Sequence, residues 1–407
     1  MGSIGIVGAG VAGMVAASRL ARAWHRVVVL EGRDELGGRT RSRPVDGDVL
    51  ELGGQMIASR HRRMRKLVAE NGLHLRREQS GLGIIRWRGP QHTRGQAIPP
   101  ARPRDLAAAI RLLLALRRGP ADDRLSAAEW LRSARLTPAL EDMIFPALAG
   151  MFCVDLDEVS AVQVLEFVDG LGGGIPCLLG GLGNHYRIVE GMSALHDRLA
   201  ATLPEPVRLG STVTHVGQDR AGVTLGCADG RSVEVDYAIL CVPATAAIAF
   251  DPPLPEQSAY DAVTFAPATK VAAVVPRKRA WQAPGFVGGS PVIAGWRTRH
   301  VLYGFALNGA AQRSDEELVT DLLAGFALSP AEAERTEVIR WAQDEFTHGT
   351  YVHYRPGEMH LRTRLARPQG RVFFASAERS ASWPIHMEGA AESGAMAADE
   401  ISALAAP

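Results

Sequence analysis

Short apolar runs and stretches of helical periodicity alternate along this chain from its first residues. Ile4-Gly5-Ile6-Val7 is too short an apolar run to be anything but a buried strand. Met14 to Ala23 repeats its apolar positions at helical spacing, and Val27 to Leu30 is a second buried strand ending at Glu31. His61 to Asn71 reads as a basic amphipathic helix stopped by Gly72, with short strands at Gly83–Trp87 and Gln91–Ile98 joined by Gly89-Pro90. Helical periodicity dominates from Arg104 to Val168. There Ser126 and Glu129 are spaced as a capping box, Pro138 is placed to open a helix and Ser160 to cap another. Glycines crowd residues 170–184, which predicts a loop serving as a lid, a channel wall or a plain linker. A helix from Gly191 to Ala201 then leads into strands at Val207–Leu209, Ser211–Val216, Val223–Cys227 and Val233–Val235, turning at Asp229-Gly230, and into an apolar strand from Ala238 closed by Pro243. Strands at Lys270–Val275 and His300–Ala306 and a helix at Ser314–Leu328 follow. The chain ends on a strand from Arg371, a loop, and a helix through Gly394 to Leu404.

The first of these patterns carries chemistry. Gly8, Gly10 and Gly13 stand in the spacing GxGxxG between a strand and a helix. Gly8 permits the turn, Gly10 lets a pyrophosphate approach the backbone, and Gly13 lets the helix sit close on the strand. The first turn at Ala12 offers N–H groups and a partial positive charge. Glu31, 18 residues beyond Gly13, is placed to accept hydrogen bonds from an adenosine ribose. A dinucleotide site follows. Two further glycine pairs, Gly37-Gly38 before Arg39 and Gly53-Gly54 before Gln55-Met56, bring more backbone close to a ligand, and Arg39 adds a forked donor for phosphate. A nicotinamide dinucleotide needs neither.

Composition narrows the setting without choosing a function. The 407 residues exceed what one hydrophobic core usually serves, so two domains are expected. A formal charge of +1 gives no reason to expect nucleic acid or an anionic membrane as partner. Only three of the 45 basic side chains are lysine (Lys66, Lys270 and Lys278), a bias that looks like a GC-rich bacterial genome. The four cysteines form no metal-ligand spacing, so they read as reduced and structural, and no metal site is expected. The first strand begins too early for a signal peptide, and the most apolar helical stretch, Leu106 to Leu116, is broken by Arg111. A cytoplasmic protein without a membrane anchor is the expectation, and a homodimer is one option for its assembly.

On the glycine framework, Glu31, the GGR triplet 37–39 and the segment Gly53 to Met56, the sequence resembles the FAD-dependent amine oxidase superfamily, which includes monoamine, L-amino acid and polyamine oxidases and, more distantly, protoporphyrinogen oxidases and carotenoid desaturases. The resemblance covers both ends well and the middle poorly. It implies an α/β fold: a Rossmann-like FAD-binding domain from residues 1–80, 187–250 and 365–407, interleaved with an α+β substrate domain from 81–186 and 251–364 that includes the helical segment 104–168. Gly38 and Arg39 would contact the FAD pyrophosphate, Gly53, Gly54, Gln55 and Met56 would lie beside the flavin, and the backbone of Val213 would meet the adenine. Glu378 would bind the ribityl chain, and the backbone at Met387 would meet a ring carbonyl. The family's usual Gly-Glu is Ala377-Glu378 here.

The catalytic expectation centres on Lys270, which matches the lysine that reaches flavin N5 through a water and assists reoxidation by oxygen. Its scarcity among arginines sets it apart, although a lysine that merely starts a strand is the plainer reading. Covalent members of the family carry a cysteine that aligns with Gly349, so this FAD is expected to be non-covalent. The aromatic pair that usually cages the amine aligns with Thr350 and His386, with Tyr351 one residue away, and the arginine of L-amino acid oxidases aligns with Met56. His386 is either a base, titratable near neutrality, or a histidine packed on Trp383. Two activities stay open. One is oxidation of a small-molecule amine C–N bond with hydride transfer to flavin N5 and molecular oxygen giving hydrogen peroxide. The other is C=C formation of the protoporphyrinogen oxidase or desaturase kind.

Overall fold

The computed structural model describes residues 2–78, 85–86, 95–96, 102–172, 185–277, 285–289, 291–307 and 309–405. The nucleotide-type centre is a four-stranded parallel sheet in the order Arg26–Leu30, Ser3–Val7, Tyr237–Leu240, Val372–Phe374. Three distant stretches of chain therefore meet in one sheet. Side-chain alternation splits its two faces. Ile4, Ile6, Val27 and Val29 pack under the helices Val11–Arg22, Met192–Ala200 and Met387–Leu404. Val7, Val28 and Leu30 face a second sheet, ordered Ser232–Val235, Val223–Cys227, Val213–Gln218, Ala249–Asp251.

Two close approaches fix the helices. A Cβ on Gly13 would lie 1.9 Å from the carbonyl oxygen of Gly8, and one on Gly394 would lie 2.2 Å from that of Ala12. The first helix thus rests on its own turn, and the closing helix rests on the first. The expected strand Val207–Leu209 does not form. It makes only an isolated bridge from Arg208 to Leu30, because the chain there runs past the edge of the parallel sheet.

The second body of the fold is a seven-stranded sheet in the order Arg335–Arg340, Thr269–Val274, Val301–Ala306, Val292–Thr298, Gly285–Val287, Ile85–Arg86, Gly95–Gln96. Val271 and Ala273 point to the helix Asp315–Gly325, whose N-terminus is closed by a Ser314–Glu317 capping box. The alternate residues Ala272 and Val274 face the hairpin Ser42–Val45 and Asp48–Glu51, turned at Asp46-Gly47 with both φ angles positive. Lys270 shares that second face. The helical stretch resolves into Pro103–Arg118, Ala127–Ser133, Pro138–Phe152 and Ala161–Gly170, with the Ser126–Glu129 capping box and the Ser160 cap in place. A three-stranded sheet of Ile57–Ala58, His185–Ile188 and Leu75–Arg77 crosses the division expected at 186/187. The glycine-rich segment lies outside the described residues beyond Gly172. Among the described residues no helix is long and apolar enough to cross a membrane.

Candidate active site

One cavity of about 530 Å³ runs between the parallel sheet and the seven-stranded sheet. Its nucleotide end is lined by Gly8, Gly10, Ala12, Glu31 and Val213. The helix beginning at Val11 has no side-chain cap at Gly10 and no acid in its first turn, so its end presents free N–H groups and an uncompensated positive dipole. A Cβ on Gly10 would come near only one atom, the Gly37 oxygen at 3.7 Å, and one on Gly38 only the Gly10 Cα at 3.7 Å, so both glycines leave the floor open to a ligand. Glu31 is buried, and its carboxylate accepts the N–H groups of Ala9 at 2.7 Å and Arg33 at 3.0 Å, which orient it for further acceptance from the cavity side. An acid for ribose, an uncapped helix end and open glycines for a pyrophosphate together fit an adenine dinucleotide.

Gly53, Gly54, Gln55, Met56, Arg39 and Met387 line the middle. Gly53 has no room for a side chain, since a Cβ would meet the Arg39 oxygen at 2.0 Å. Lys270 enters here, 1% exposed, with Nζ donating to the Gly53 oxygen and to Gln55 Oε1, each at 2.7 Å. Its ammonium stands 4.6 Å from the Tyr303 ring centroid and 5.7 Å from that of Trp296. Burial pushes its pKa down to about 7, against the upward pull of the Glu51 carboxylate. Glu51 is fully buried, accepts from Ser42 Oγ at 2.6 Å and Met192 N at 3.0 Å, and is itself pushed up by burial.

Gly13 has the packing place expected of it, and Glu378 does not itself line the cavity. Gly13 does not line the cavity; its place is the contact with Gly8. Glu378 is completely buried and turned away from the cavity, with one oxygen taking Arg39 Nη2 at 3.0 Å and the other the Ala244 N–H at 3.3 Å. Burial works to raise its pKa, but Arg39 and Arg379 outweigh burial and hold the carboxyl below its ordinary value. Arg39 lines the cavity while committing its other nitrogen to the Thr350 oxygen at 2.8 Å.

The far chamber is walled by Leu148, Met151, Phe167, Phe286, Trp296, Phe305 and Tyr351, together with His386. His386 stacks on Phe167 (centroids 5.4 Å apart, 13° between planes) and meets Trp383 edge-on at 5.2 Å. Burial and the neighbouring His61 lower its pKa well below the ordinary histidine value, so the ring is uncharged at neutrality. Thr350 gives its hydroxyl to the Ala266 oxygen. Arg60 donates to the Asp169 oxygen at the surface and does not line the cavity, so it does not replace the arginine missing at Met56. Sequence reasoning missed His61, Phe167 and Trp296. The position of His61 as the first residue of a predicted helix was the available sign that its ring is held in place, and the alternation around Trp296 was the sign of a strand.

The family model for flavin containing amine oxidoreductases matches residues 11–402, and the chain belongs to that family of FAD-dependent oxidoreductase enzymes. It is 28% identical, over 98% of this chain and 96% of that one, to AofH of Mycobacterium tuberculosis, a protein named for flavin-containing monoamine oxidases. It is also 28% identical to the pig amine oxidase [flavin-containing] B, across 97% of this chain and 85% of the pig protein. A solved structure of putrescine oxidase bound to putrescine superposes with a TM-score of 0.86 at 26% identity, covering 99% of both chains. Cyclohexylamine oxidase from Brevibacterium oxydans, 22% identical with a TM-score of 0.85, shares the fold.

Glu31→Ala should test the nucleotide end. Removing a charged acceptor of ribose hydroxyls loses about 1.5–3 kcal/mol, so FAD should bind roughly tenfold to a hundredfold more weakly. Titration of the apoprotein with FAD measures this, and unchanged affinity would mean that Glu31 does not hold the ribose.

Proposed function

We propose that the chain oxidises the C–N bond of a small amine to an imine, with molecular oxygen as the final acceptor and hydrogen peroxide as product, and that it holds FAD without a covalent bond. The observation that carries this reading is Lys270, a lone buried ammonium donating to the backbone at Gly53 and to Gln55 in the middle of the cavity. FAD, when bound, supplies a hydride acceptor at its N5. Around it the protein's part is positioning and electrostatics. Glu31 and the helix end at Val11 fix the nucleotide. Lys270 places positive charge where negative charge would develop and orders water for oxygen. The aromatic wall excludes bulk water from the reacting C–H bond.

His386 acts in this reading as an uncharged hydrogen-bond partner of the substrate amine. A ring this reluctant to take a proton favours the free-base amine, whose nitrogen lone pair is what releases a hydride from the neighbouring carbon. The non-covalent attachment rests on two observations. Gly349, at φ +151°, does not line the cavity, and a Cβ there would meet the Cβ of Phe265 at 2.6 Å. Cys241 does line it, but burial pushes its thiol up to about 12, which leaves no thiolate near neutrality. The C=C-forming reading draws on Thr350 in place of a caging aromatic, and substrate range separates the two.

Three measurements test this function. Denatured protein should release intact FAD into the supernatant; flavin retained by the precipitate would refute non-covalent binding. Lys270→Met keeps the stem and removes the charge, so reoxidation of reduced enzyme by oxygen should slow strongly with FAD still bound. Reoxidation at the unmutated rate in stopped flow would make Lys270 structural and remove the main support for an oxidase. His386→Asn should lower the anaerobic reduction rate by roughly threefold to tenfold, the loss of one neutral hydrogen bond. Because the folded pKa of His386 lies below 6.5, its protonation should cost activity only as pH falls below that value. Between pH 6.5 and 8 the profile should follow the substrate amine and Lys270, whose pKa burial lowers to about 7, and a limb in that window that His386→Asn removes would show a charged base instead.

A further inference from the structure

The chamber holds a second histidine that the proposed reaction does not use. His61 is 1% exposed, lines the cavity and stands at the N-terminal end of the helix Arg62–Glu70 without capping it through its side chain. Its Nδ1 accepts the Ala58 N–H at 3.0 Å, which puts the proton of the neutral ring on Nε2. That Nε2 is buried with no hydrogen-bond partner, and so is Nδ1 of His386. The two rings stand edge to face, with centroids 4.9 Å apart, and Trp383 meets His61 edge-on at 4.7 Å. A buried N–H donor without an acceptor costs about 1–3 kcal/mol. A pair of such atoms on adjacent rings in a cavity wall therefore marks a place where a ligand supplies what the protein does not.

The charge around the pair selects the ligand. Burial drives His61 down to about 4, so it is neutral across the working range. Among the described residues that line the cavity, Glu31 and Glu345 are the acids, and Arg33, Arg39, Arg297 and Lys270 are the cations. Glu31 belongs to the nucleotide end, and Glu345 adjoins Phe346, whose ring lies 4.7 Å from the Arg33 guanidinium. Among the described residues that line the cavity no further carboxylate stands, and Glu388, two residues from His386, is taken up by the N–H groups of Arg63 and Met64, so a second ammonium finds no free counter-charge there. A fixed N–H donor accepts no cation either. What satisfies it is an acceptor oxygen one or two bonds from the group held by His386, and a hydroxyl is the one that brings no charge to a wall of two neutral rings.

We propose that His61 and His386 form a two-point subsite for a vicinal amino alcohol: the substrate hydroxyl oxygen accepts from His61 Nε2–H, and the adjacent uncharged amine donates to His386. The subsite rests on the amine-oxidation reading for the second contact and stands on the orphaned donor for the first. His61 thereby sets specificity, favouring a hydroxyamine over a plain alkylamine.

Two probes of one carbon count test it on the FAD-loaded protein at pH 9: 1-amino-2-butanol and butylamine, each compared per concentration of uncharged amine. Dissociation constants come from perturbation of flavin absorbance under anaerobic conditions, and bleaching of the flavin is followed separately. The hydroxyamine should bind roughly threefold to tenfold tighter than butylamine, the value of one neutral hydrogen bond. His61→Phe keeps the aromatic packing on Trp383 and removes the donor. It should equalise hydroxyamine and butylamine by weakening only the former, and His61→Gln should recover part of the preference. Equal affinities in the unmutated protein, or His61→Phe weakening both ligands alike, would overturn the subsite. The two readings fail separately. If neither probe bleaches the flavin but the His61-dependent preference persists, amine oxidation falls and the subsite stands; if both bleach it with equal affinity, the reverse holds.

Discussion

The ion pair between Arg39 and Glu378 is the constraint that gathers the site. Glu378 is wholly inside the protein, and its two oxygens bind the guanidinium of Arg39 and the backbone of Ala244. Arg39 reaches on to the Thr350 oxygen, the Glu378 carbonyl takes the hydroxyl of Tyr354, and Arg379 spans the Val242 and Leu365 oxygens. Stretches of chain near residues 39, 244, 350 and 378 are thus tied at one buried charge. Removing Arg39 would cost about 3–5 kcal/mol, because the Glu378 carboxylate left behind is wholly buried. The same pair explains why Arg39 borders the cavity with little freedom to move. Its fork is held from behind by a carboxylate, so the edge left facing the cavity is fixed.

How much of this was legible in the sequence follows from how local each determinant is. The GxGxxG turn and Glu31 needed only nearest neighbours: a strand, a glycine where Gly8 must have φ of +98°, and an acid at the end of the next strand. The Asp46-Gly47 hairpin carried the signal of a two-residue turn and was overlooked because the strands on either side are only four residues long. The edge strand Arg335–Arg340 was not readable. Its sequence RTEVIR is polar, and it is held by pairing with Thr269–Val274 across more than sixty residues of sequence. Resemblance alone assigns Glu378 to the ribityl chain, and the fold pairs it with Arg39, which lines the cavity. No pattern along the chain shows that two ligand-like side chains 339 positions apart satisfy each other.

Lys270 was found for a reason unrelated to its surroundings, its rarity among arginines, and the structure supplies the physics. Strand alternation places it on the face away from the helix Asp315–Gly325, opposite the glycine pair 53–54. Arginine could not serve in that position. Tyr303 and Trp296 stack on each other beside the compact head of Lys270, and a lysine can lose its proton when desolvated while a guanidinium does not. Glu51 below it is sequestered by Ser42 and the first N–H of the helix Met192–Ala200, so it lowers the cost of burying the ammonium without competing for the cavity.

Charge along the cavity then runs in one direction. An acid stands at the nucleotide end, an uncapped helix and Arg39 follow where phosphates belong, Lys270 comes next, and two uncharged imidazoles in an aromatic wall close the far end. An elongated ligand with hydroxyls at one end, anionic charge in its middle and a flat apolar ring at the other satisfies that sequence in one orientation only. Reversing it would put phosphate charge against Phe167 and His386 and leave the helix end unsatisfied. The neutrality of the far chamber is therefore part of how the cofactor is oriented as well as of how the substrate is chosen. A carboxylate introduced there to catch a second ammonium would compete with Glu31 for the polar end of the ligand. His61 and His386 suit both demands, since in the proposed reading they would hydrogen-bond a substrate while adding no charge beside the flavin's place.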